Sequence, residues 1–409
     1  MRKPGSEWYR YALVTSILLM ISCLFISRAF LSVSMIVFFV LTLCHTKIID
    51  QIRTSLRNPL YAAVMVLFII PFISGAWSED HEKWFDVVRI KLPLLLFPLA
   101  FAFNWPLLEK DWKLIAIFFS GMLFIAVTWS CANYQLHASY FNEAYLKAKL
   151  IDTPLDNDHV RFSWLVVIGV IVNSILWLKS KSRWWKVILL LIILSLVLYL
   201  HLLAARTGLV CLYIFAIGSI VYLLRIAANK KWIISLAVLL VIAGITAWFA
   251  FPTLQNRYRY FKYDLSTVKR NQYISGSNDG ARVLSLKAGW SVLKQHSLGV
   301  GAGDVMHETD KWYSANIPNM VETDKFYPCS EWITYGMFAG WPGVLLFTVI
   351  MMVPFFIKVP RYTFIWVILN GIAAFSFIFD IGLEAQYGAF IYPFIILCFY
   401  KWITNKRIL

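Results

Sequence analysis

The chain has 409 residues, of which 60% are hydrophobic and only 15% are charged, and its formal net charge is +16 at pH 7. Soluble domains are usually about half apolar and about a quarter charged, so the composition excludes an ordinary soluble enzyme and favours a membrane protein. The positive charge does not indicate a nucleic-acid partner. Most Lys and Arg residues lie in short segments between apolar runs, as the positive-inside rule predicts.

Long apolar runs recur along the chain. A helix needs about 20 such residues to cross a bilayer, and in lipid a helix satisfies its own backbone hydrogen bonds. The predicted fold is an all-α polytopic membrane protein with about 12 transmembrane helices. The predicted spans lie near residues 9–27, 29–45, 59–77, 90–104, 112–133, 161–178, 187–204, 207–224, 232–251, 334–357, 362–380 and 385–403.

The basic residues are concentrated on one side of these spans, which predicts that both termini are cytoplasmic. The chain then divides into three parts. Residues 1–251 carry helices 1–9, residues 252–332 form a long, partly helical outer loop, and residues 333–409 carry helices 10–12. Two further outer segments are an amphipathic stretch at 78–91, which suits a helix lying on the membrane surface, and a loop at 134–160.

Arg206 is the most informative single residue, because it begins a tight outer turn, Arg206-Thr-Gly208, between two long apolar runs. A charge beside hydrocarbon is costly and marks either a functional site or a paired structural one; snorkelling to the interface is the alternative. A guanidinium can donate two parallel hydrogen bonds to phosphate or carboxylate oxygens. Arg161 and Arg282 are predicted on the same outer side. The three arginines would suit a diphosphate whose lipid tail stays in the membrane.

The long loop contains weaker signals. Its glycine-rich segment, Gly299-Val-Gly-Ala-Gly-Asp304, could cradle phosphate with backbone N–H groups. It lacks the strand and the Lys-Ser/Thr of a nucleotide loop, so a tight turn is the simpler interpretation. Residues 283–293 have apolar positions at helical spacing, which fits either a membrane-surface helix or a helix packed on protein. Proton-transfer candidates in the loop are His296, Asp304, His307, Glu308, Asp310 and Glu331.

No metal site or cofactor is expected. The six cysteines show no metal-ligand spacing and no disulfide framework, and only Cys329 lies in the polar loop. A free thiol within an apolar run is usually a small core residue.

Several motifs, taken together in this order, resemble a known family. Arg206-Thr-Gly208 is followed by Arg282…Trp290, by His296-Ser-Leu-Gly-Val-Gly-Ala-Gly303, by Pro328-Cys-Ser-Glu-Trp-Ile333, and by Gly340-Trp-Pro-Gly343 in the next predicted span. The run Leu92-Pro-Leu-Leu-Leu-Phe-Pro98 adds to the pattern. The chain resembles the O-antigen ligase / O-antigen polymerase superfamily of bacterial envelope glycosyltransferases, with the sharp motifs confined to about 200–210 and 282–345.

The resemblance implies a metal-independent, inverting transfer of a glycan from an undecaprenyl-diphosphate carrier. The acceptor is the lipid A core in ligases and another carrier-linked glycan in polymerases. The resemblance also implies that the protein lies in the bacterial inner membrane and that its 252–332 loop and its active face are periplasmic. Arg206 and Arg282 match the family arginines that are thought to hold the diphosphate.

One departure concerns the catalytic histidine. The family commonly has a His-Asn pair eleven residues before the first glycine of the Gly-x-x-Gly motif, and this chain has Cys329-Ser330 there. Cys329 could accept a proton only with a well-matched pKa. Glu331 and His307 are the alternatives. Three explanations stay open. Another residue serves as the general base, or the base is weak and positioning supplies most of the acceleration. In the third, this chain has a different activity from the family or has lost it.

Other functions stay open at this level. An O-antigen polymerase or a protein O-oligosaccharyltransferase of the same superfamily would share the motifs. A non-enzymatic transporter of lipid-linked glycans would need polar groups in the middle of spans, for which Asn173, Asn370 and Asp380 are the few candidates. An inactive relative is a further reading, favoured by Cys329.

Overall fold

A computed structural model of the chain describes residues 7–45, 47–147, 149–226, 231–269 and 273–405. Within these ranges the chain is helical and contains no strand. Short 3-10 turns occur at Tyr145–Lys147 and Glu322–Asp324. The α-helices are α1 (Glu7–Ile26), α2 (Arg28–Leu43), α3 (Ile48–Arg57), α4 (Pro59–Ser74), α5 (His81–Ala102), α6 (Glu109–Leu136), α7 (Ala138–Ala144), α8 (His159–Lys179), α9 (Arg183–Leu203), α10 (Arg206–Ile226), α11 (Lys231–Ala250), α12 (Pro252–Lys269), α13 (Asp279–Gln295), α14 (Val305–Asn316), α15 (Glu331–Phe356), α16 (Thr363–Phe379) and α17 (Gln386–Ile403).

A helix lies at each predicted span position, so the all-α class is confirmed for the described residues. Six of these helices are long and apolar enough to cross a membrane, and α2 and α3 together could supply a seventh span. The six are α1, α6, α8, α9, α10 and α15. These helices are compatible with a membrane protein, and the number of twelve spans stays a prediction.

Helix α5 differs from the sequence-based expectation. Most of the predicted surface segment 78–91 and of the predicted span 90–104 forms one continuous helix, His81–Ala102, which contains Pro93 and Pro98. Asp80 caps its first turn by accepting a hydrogen bond from the Lys83 N–H at 2.8 Å. Polar and apolar halves therefore belong to one helix, and Lys91 lies buried at their junction instead of on a surface.

The chain divides into two compact units. Unit 1 comprises Met1–Met20, Arg28–Glu109 and Asp264–Leu409, and unit 2 comprises Ile21–Ser27 and Lys110–Tyr263. The core of unit 1 is aromatic: the Phe97 ring lies 5.8 Å from Phe38 and 5.7 Å from Phe394, measured between ring centroids. Such packing joins helices α2, α5 and α17.

Helix α8 is the centre of unit 2, and most of its residues are buried. Its close neighbours approach at small residues. A Cβ added at Gly169 would lie 2.2 Å from Leu123, and a Cβ added at Gly208 would lie 2.4 Å from Ser163. Asn173 is satisfied inside this packing, because its amide oxygen accepts from the Ser120 hydroxyl and its amide nitrogen donates to a backbone carbonyl.

The described residues of the long loop are largely helical, in α12, α13 and α14. One face of α13 is buried, including Ser285, Ala288 and Leu293. A Cβ added at Gly289 would lie 2.6 Å from Ile333, so the helix packs closely on the start of α15. Of the two sequence-based interpretations, a helix packed on protein describes this buried face, while Trp290 remains exposed.

Candidate functional site

Unit 1 gathers five charged side chains from four parts of the chain. Helix α5 supplies Lys91, α13 supplies Arg282 and α15 supplies Glu331, while the turn between α16 and α17 supplies Asp380 and Glu384. We call these residues the unit 1 charge cluster, and the connecting segment the 380–385 turn.

Lys91 is fully buried within the cluster. Its ammonium forms an ion pair with the Glu384 carboxylate and donates a hydrogen bond to the Leu383 carbonyl at 3.3 Å. It also lies 5.0 Å from the centroid of the Tyr335 ring. A buried ammonium is tolerated only when it is paired and hydrogen-bonded, and these contacts meet that condition.

Glu331 is the first residue of α15, and it is fully buried as well. Its Oε1 accepts a hydrogen bond from the Leu383 N–H at 2.5 Å, whereas its buried Oε2 has no hydrogen-bond partner among the described residues. A buried carboxylate oxygen without a donor is unfavourable. Unsatisfied groups of this kind call for a functional or structural explanation.

Arg282 forms the open edge of the cluster. Its Nη1 lies 3.9 Å from Asp380 Oδ1, and the Arg282 side chain is 31% exposed while that of Asp380 is 3% exposed. The guanidinium therefore faces a buried carboxylate on one side and solvent on the other, so an anion could approach it directly.

Tyr327 adds a buried hydroxyl near the carboxylates. Burial, followed by the negative charges of Glu384 and Glu331, raises the pKa of this phenol well above its usual value. The hydroxyl has no hydrogen-bond partner among the described residues. It keeps its proton at neutral pH, so it can donate a hydrogen bond to a neighbouring oxygen.

The other two catalytic candidates lie in different surroundings. His307 is exposed on α14. Cys329 is buried, its thiol donates to the Tyr327 carbonyl at 3.4 Å, and its N–H donates to the Ser285 hydroxyl at 3.2 Å. These hydrogen bonds give Cys329 a place in the packing of α13.

The glycine-rich segment 299–304 packs against the end of α4 and the residues that follow it. The Ala302 N–H donates to the Ser74 hydroxyl at 3.0 Å, and the Gly303 N–H donates to the Ser78 hydroxyl at 3.1 Å. The Asp304 carboxylate accepts from two backbone N–H groups, those of residues 79 and 80. Because these backbone donors already have partners, a tight turn describes the segment better than a phosphate cradle.

In unit 2, Arg206 begins helix α10 and is exposed. Its guanidinium carbon lies 4.9 Å from the centroid of the Phe261 ring, on α12. The preceding Ala204 adopts a left-handed conformation, with φ of 50°, which makes the turn between α9 and α10 tight. The guanidinium is thus held over an aromatic face, a cation–π arrangement.

Arg161 lies in the first turn of α8, with Nη1 3.3 Å from Asp158 Oδ1. Because Gly208 packs against Ser163, the first turns of α8 and α10 are neighbours. The structure therefore brings Arg161 and Arg206 to one end of unit 2. Arg282, Glu331, His307 and Cys329 all belong to unit 1.

Sequence reasoning missed Arg257 as a candidate at this end of unit 2. It is buried on α12, and its guanidinium carbon lies 5.6 Å from the centroid of the Tyr260 ring. The Thr253 hydroxyl donates to the Leu202 carbonyl at 2.7 Å and so fixes the start of α12 beside the end of α9. The basic and aromatic run at 257–262 was the available signal.

Lys91 and Glu384 were also missed, and Asp380 was considered only as a polar group in a span. The available signal was charge at the edge of apolar runs, in Lys91-Leu-Pro and in Asp380-Ile-Gly-Leu-Glu384. Among the described residues, no group of three or more His, Cys, Asp or Glu side chains could hold a metal ion.

No protein-family model matches this chain, and no curated protein matches it.

Proposed function

We propose that the chain is an O-antigen ligase-like glycosyltransferase, which transfers a glycan from undecaprenyl diphosphate to the lipid A core at the periplasmic face of the bacterial inner membrane. The proposal includes about 12 spans and two cytoplasmic termini. The observation that carries it is the unit 1 charge cluster, in which the partly exposed Arg282 adjoins a buried group of carboxylates. This supports an anion-binding and proton-accepting site next to apolar helices.

The arginines would bind the donor. The resemblance assigns the diphosphate to Arg206 and Arg282, and Arg161 is a further candidate. The chemistry needs little else, because diphosphate is a good leaving group. Fixed cations that meet its developing negative charge, together with orientation of the acceptor, can supply most of the acceleration.

Glu331 is the strongest candidate for the base. The acceptor hydroxyl would attack the anomeric carbon, the bond from that carbon to the diphosphate oxygen would break, and undecaprenyl diphosphate would leave. The hydroxyl proton would pass to Glu331 Oε2, the buried oxygen that has no hydrogen-bond partner among the described residues. Since Glu331 is fully buried, we expect the acceptor to reach it from the side of Arg282.

A transporter is less well supported. Two of its three midspan polar candidates have structural hydrogen bonds: Asn173 bonds within the packing of α8, and the Asn370 amide donates to the Trp366 carbonyl one turn earlier at 2.8 Å. The third, Asp380, belongs to the unit 1 charge cluster. Charge gathered at one place in each unit favours an enzyme.

The test is a reconstituted transfer assay with an undecaprenyl-diphosphate-linked glycan and lipid A core, with and without a chelator. Arg206→Ala and Arg282→Ala should each reduce transfer at least about a hundredfold in protein that remains folded. Two matched controls should retain it. Arg183→Ala removes an exposed arginine that begins α9, as Arg206 begins α10, and Arg89→Ala removes an exposed arginine paired with Asp86 on α5.

The outcomes separate the alternatives. Chelator-resistant transfer to lipid A core, lost in both variants, supports the ligase. Chain growth on the carrier would assign a polymerase, and transfer to protein would assign an O-oligosaccharyltransferase. Near wild-type activity in either alanine variant would remove that arginine from the diphosphate site. No product with any acceptor would overturn the proposed function.

A further inference from the structure

We propose that the 380–385 turn positions Arg282 and Glu331, and that the buried Lys91 ammonium holds this turn in place. Lys91, Asp380 and Glu384 are then positioning residues. The inference rests on the proposed function for what Arg282 and Glu331 do, and on the structure alone for the contacts that hold them.

The turn is held from two sides through one peptide. The Leu383 carbonyl accepts from Lys91 on α5, and the Leu383 N–H donates to Glu331 on α15. The next residue, Glu384, forms the ion pair with Lys91. Hydrogen bonds to charged groups are roughly twice as strong as neutral ones, and these are buried. The turn therefore has one preferred position relative to α5 and α15.

Close packing leaves the turn little freedom to adjust. A Cβ added at Gly388 would lie 1.6 Å from the Gly382 carbonyl oxygen, and one added at Gly382 would lie 2.5 Å from the Phe377 ring. The turn thus contacts both the start of α17 and the end of α16 directly. A displacement at Glu384 is expected to reach Asp380, at the other end of the same turn.

Asp380 connects the turn to the open edge of the cluster. Its Oδ1 lies 3.9 Å from Arg282 Nη1, which is longer than a hydrogen bond. At this distance the carboxylate orients the guanidinium by charge and does not occupy that N–H donor, which stays available for a phosphate oxygen. The position of Arg282 therefore depends on the turn, and the turn depends on Lys91.

Hydrogen exchange of the protein in lipid nanodiscs tests whether Lys91 holds the 380–385 turn, without any assay of activity. In Lys91→Met we expect amide exchange of segments 380–385 and 279–285 to rise about tenfold or more. The charge-exchanged double variant Lys91→Glu with Glu384→Lys should restore slow exchange. If Lys91→Met does not fold, Glu384→Gln provides the same comparison, because it removes the charge that pairs with Lys91.

Lys401→Met is the matched control. Lys401 is partly buried and likewise donates to backbone carbonyls, those of Phe101 and Phe103, at 3.0 and 2.7 Å. Its loss should raise exchange near those carbonyls and leave segments 380–385 and 279–285 unchanged. Equal exchange of those two segments in wild type and Lys91→Met would overturn the inference, as would equal effects of Lys91→Met and Lys401→Met on them.

Kinetics tests the consequence for Arg282. In Asp380→Asn we expect KM for the lipid-diphosphate donor to rise about tenfold with kcat within about twofold, and Asp380→Glu to recover part of the loss. A purely structural role would reduce the amount of folded protein and leave KM unchanged, which would overturn the positioning of Arg282. If the wild type transfers no glycan to any acceptor, the proposed function fails, and the exchange data still decide whether Lys91 holds the turn.

Discussion

The unit 1 charge cluster and Arg206 of unit 2 hold their charges in contrasting ways. In the unit 1 charge cluster, Lys91 faces Glu384 and Arg282 faces Asp380, with three of these four side chains less than a tenth exposed. In unit 2, Arg206 is exposed and lies over the ring of Phe261. Charge in unit 1 is therefore part of the packing, whereas the charge of Arg206 is presented at a surface.

The difference predicts how each end responds to substitution. Removing one member of a buried pair leaves an uncompensated charge in a low-dielectric environment, which is strongly destabilising. Removing an exposed cation from an aromatic face lowers the free energy of unfolding by only roughly 0.5–1 kcal/mol. Unit 1 should thus couple folding to charge, and Arg206 should affect function with little effect on folding.

The largest expected effect is on the stability of unit 1. Lys91→Met should reduce the free energy of unfolding by about 3–5 kcal/mol, because Glu384 and Glu331 lose their buried cation. The double variant with Glu384→Gln should recover much of this loss, since one of the two carboxylates is then neutral. Thermal unfolding in detergent, followed by intrinsic tryptophan fluorescence, measures both. A double variant as unstable as the single one would show that charge compensation is not the reason.

The next effect concerns activity. Arg206→Ala and Arg282→Ala should each lower kcat/KM by about 10²–10³, the range for loss of one fixed donor to developing charge. Lysine at either position should recover only part of it, because an ammonium cannot donate two parallel hydrogen bonds as a guanidinium does.

The stability of the Arg206→Ala variant tests the contrast between the exposed charge of Arg206 and the buried charges of unit 1. Thermal unfolding should leave Arg206→Ala within about 1 kcal/mol of wild type. A large loss of stability in Arg206→Ala would break the comparison between a presented charge and a packed one.

Glu331→Gln should lower kcat about a hundredfold, at the low end for loss of a general base. His307→Ala and Cys329→Ala should stay within about threefold of wild type, because His307 is exposed on α14 and the Cys329 thiol donates to a backbone carbonyl. Turnover under saturating donor and acceptor measures all three. Indifference to all three substitutions would mean that none of these side chains is the base.

Helix positions could be predicted from the sequence, because long apolar runs have few structural alternatives. Arg206 and Arg282 could be chosen as candidates because each is a charge beside an apolar or amphipathic segment. The partners of Arg282 and Glu331 could not be predicted from the sequence. Lys91 and Glu384 are 293 residues apart in sequence, and no local pattern encodes their pairing. The amphipathic pattern of 78–91 predicted a helix on the membrane surface. Lys91 is buried instead, because tertiary packing decides its burial and the periodicity of the sequence does not report tertiary packing.

The smallest effect tests how unit 2 brings Arg161 and Arg206 together. Gly208→Ala would place a Cβ 2.4 Å from the Ser163 Cβ, so α8 and α10 must separate, at a cost of about 1–3 kcal/mol. Gly121→Ala is the matched control in unit 2, since nothing lies within 4 Å of its added Cβ; it should stabilise α6 by roughly 0.5–1 kcal/mol. If the two first turns hold the arginines jointly, Gly208→Ala should also raise KM for the donor, and Gly121→Ala should not. A stable Gly208→Ala protein with unchanged KM would show that this close approach does not set the position of either arginine.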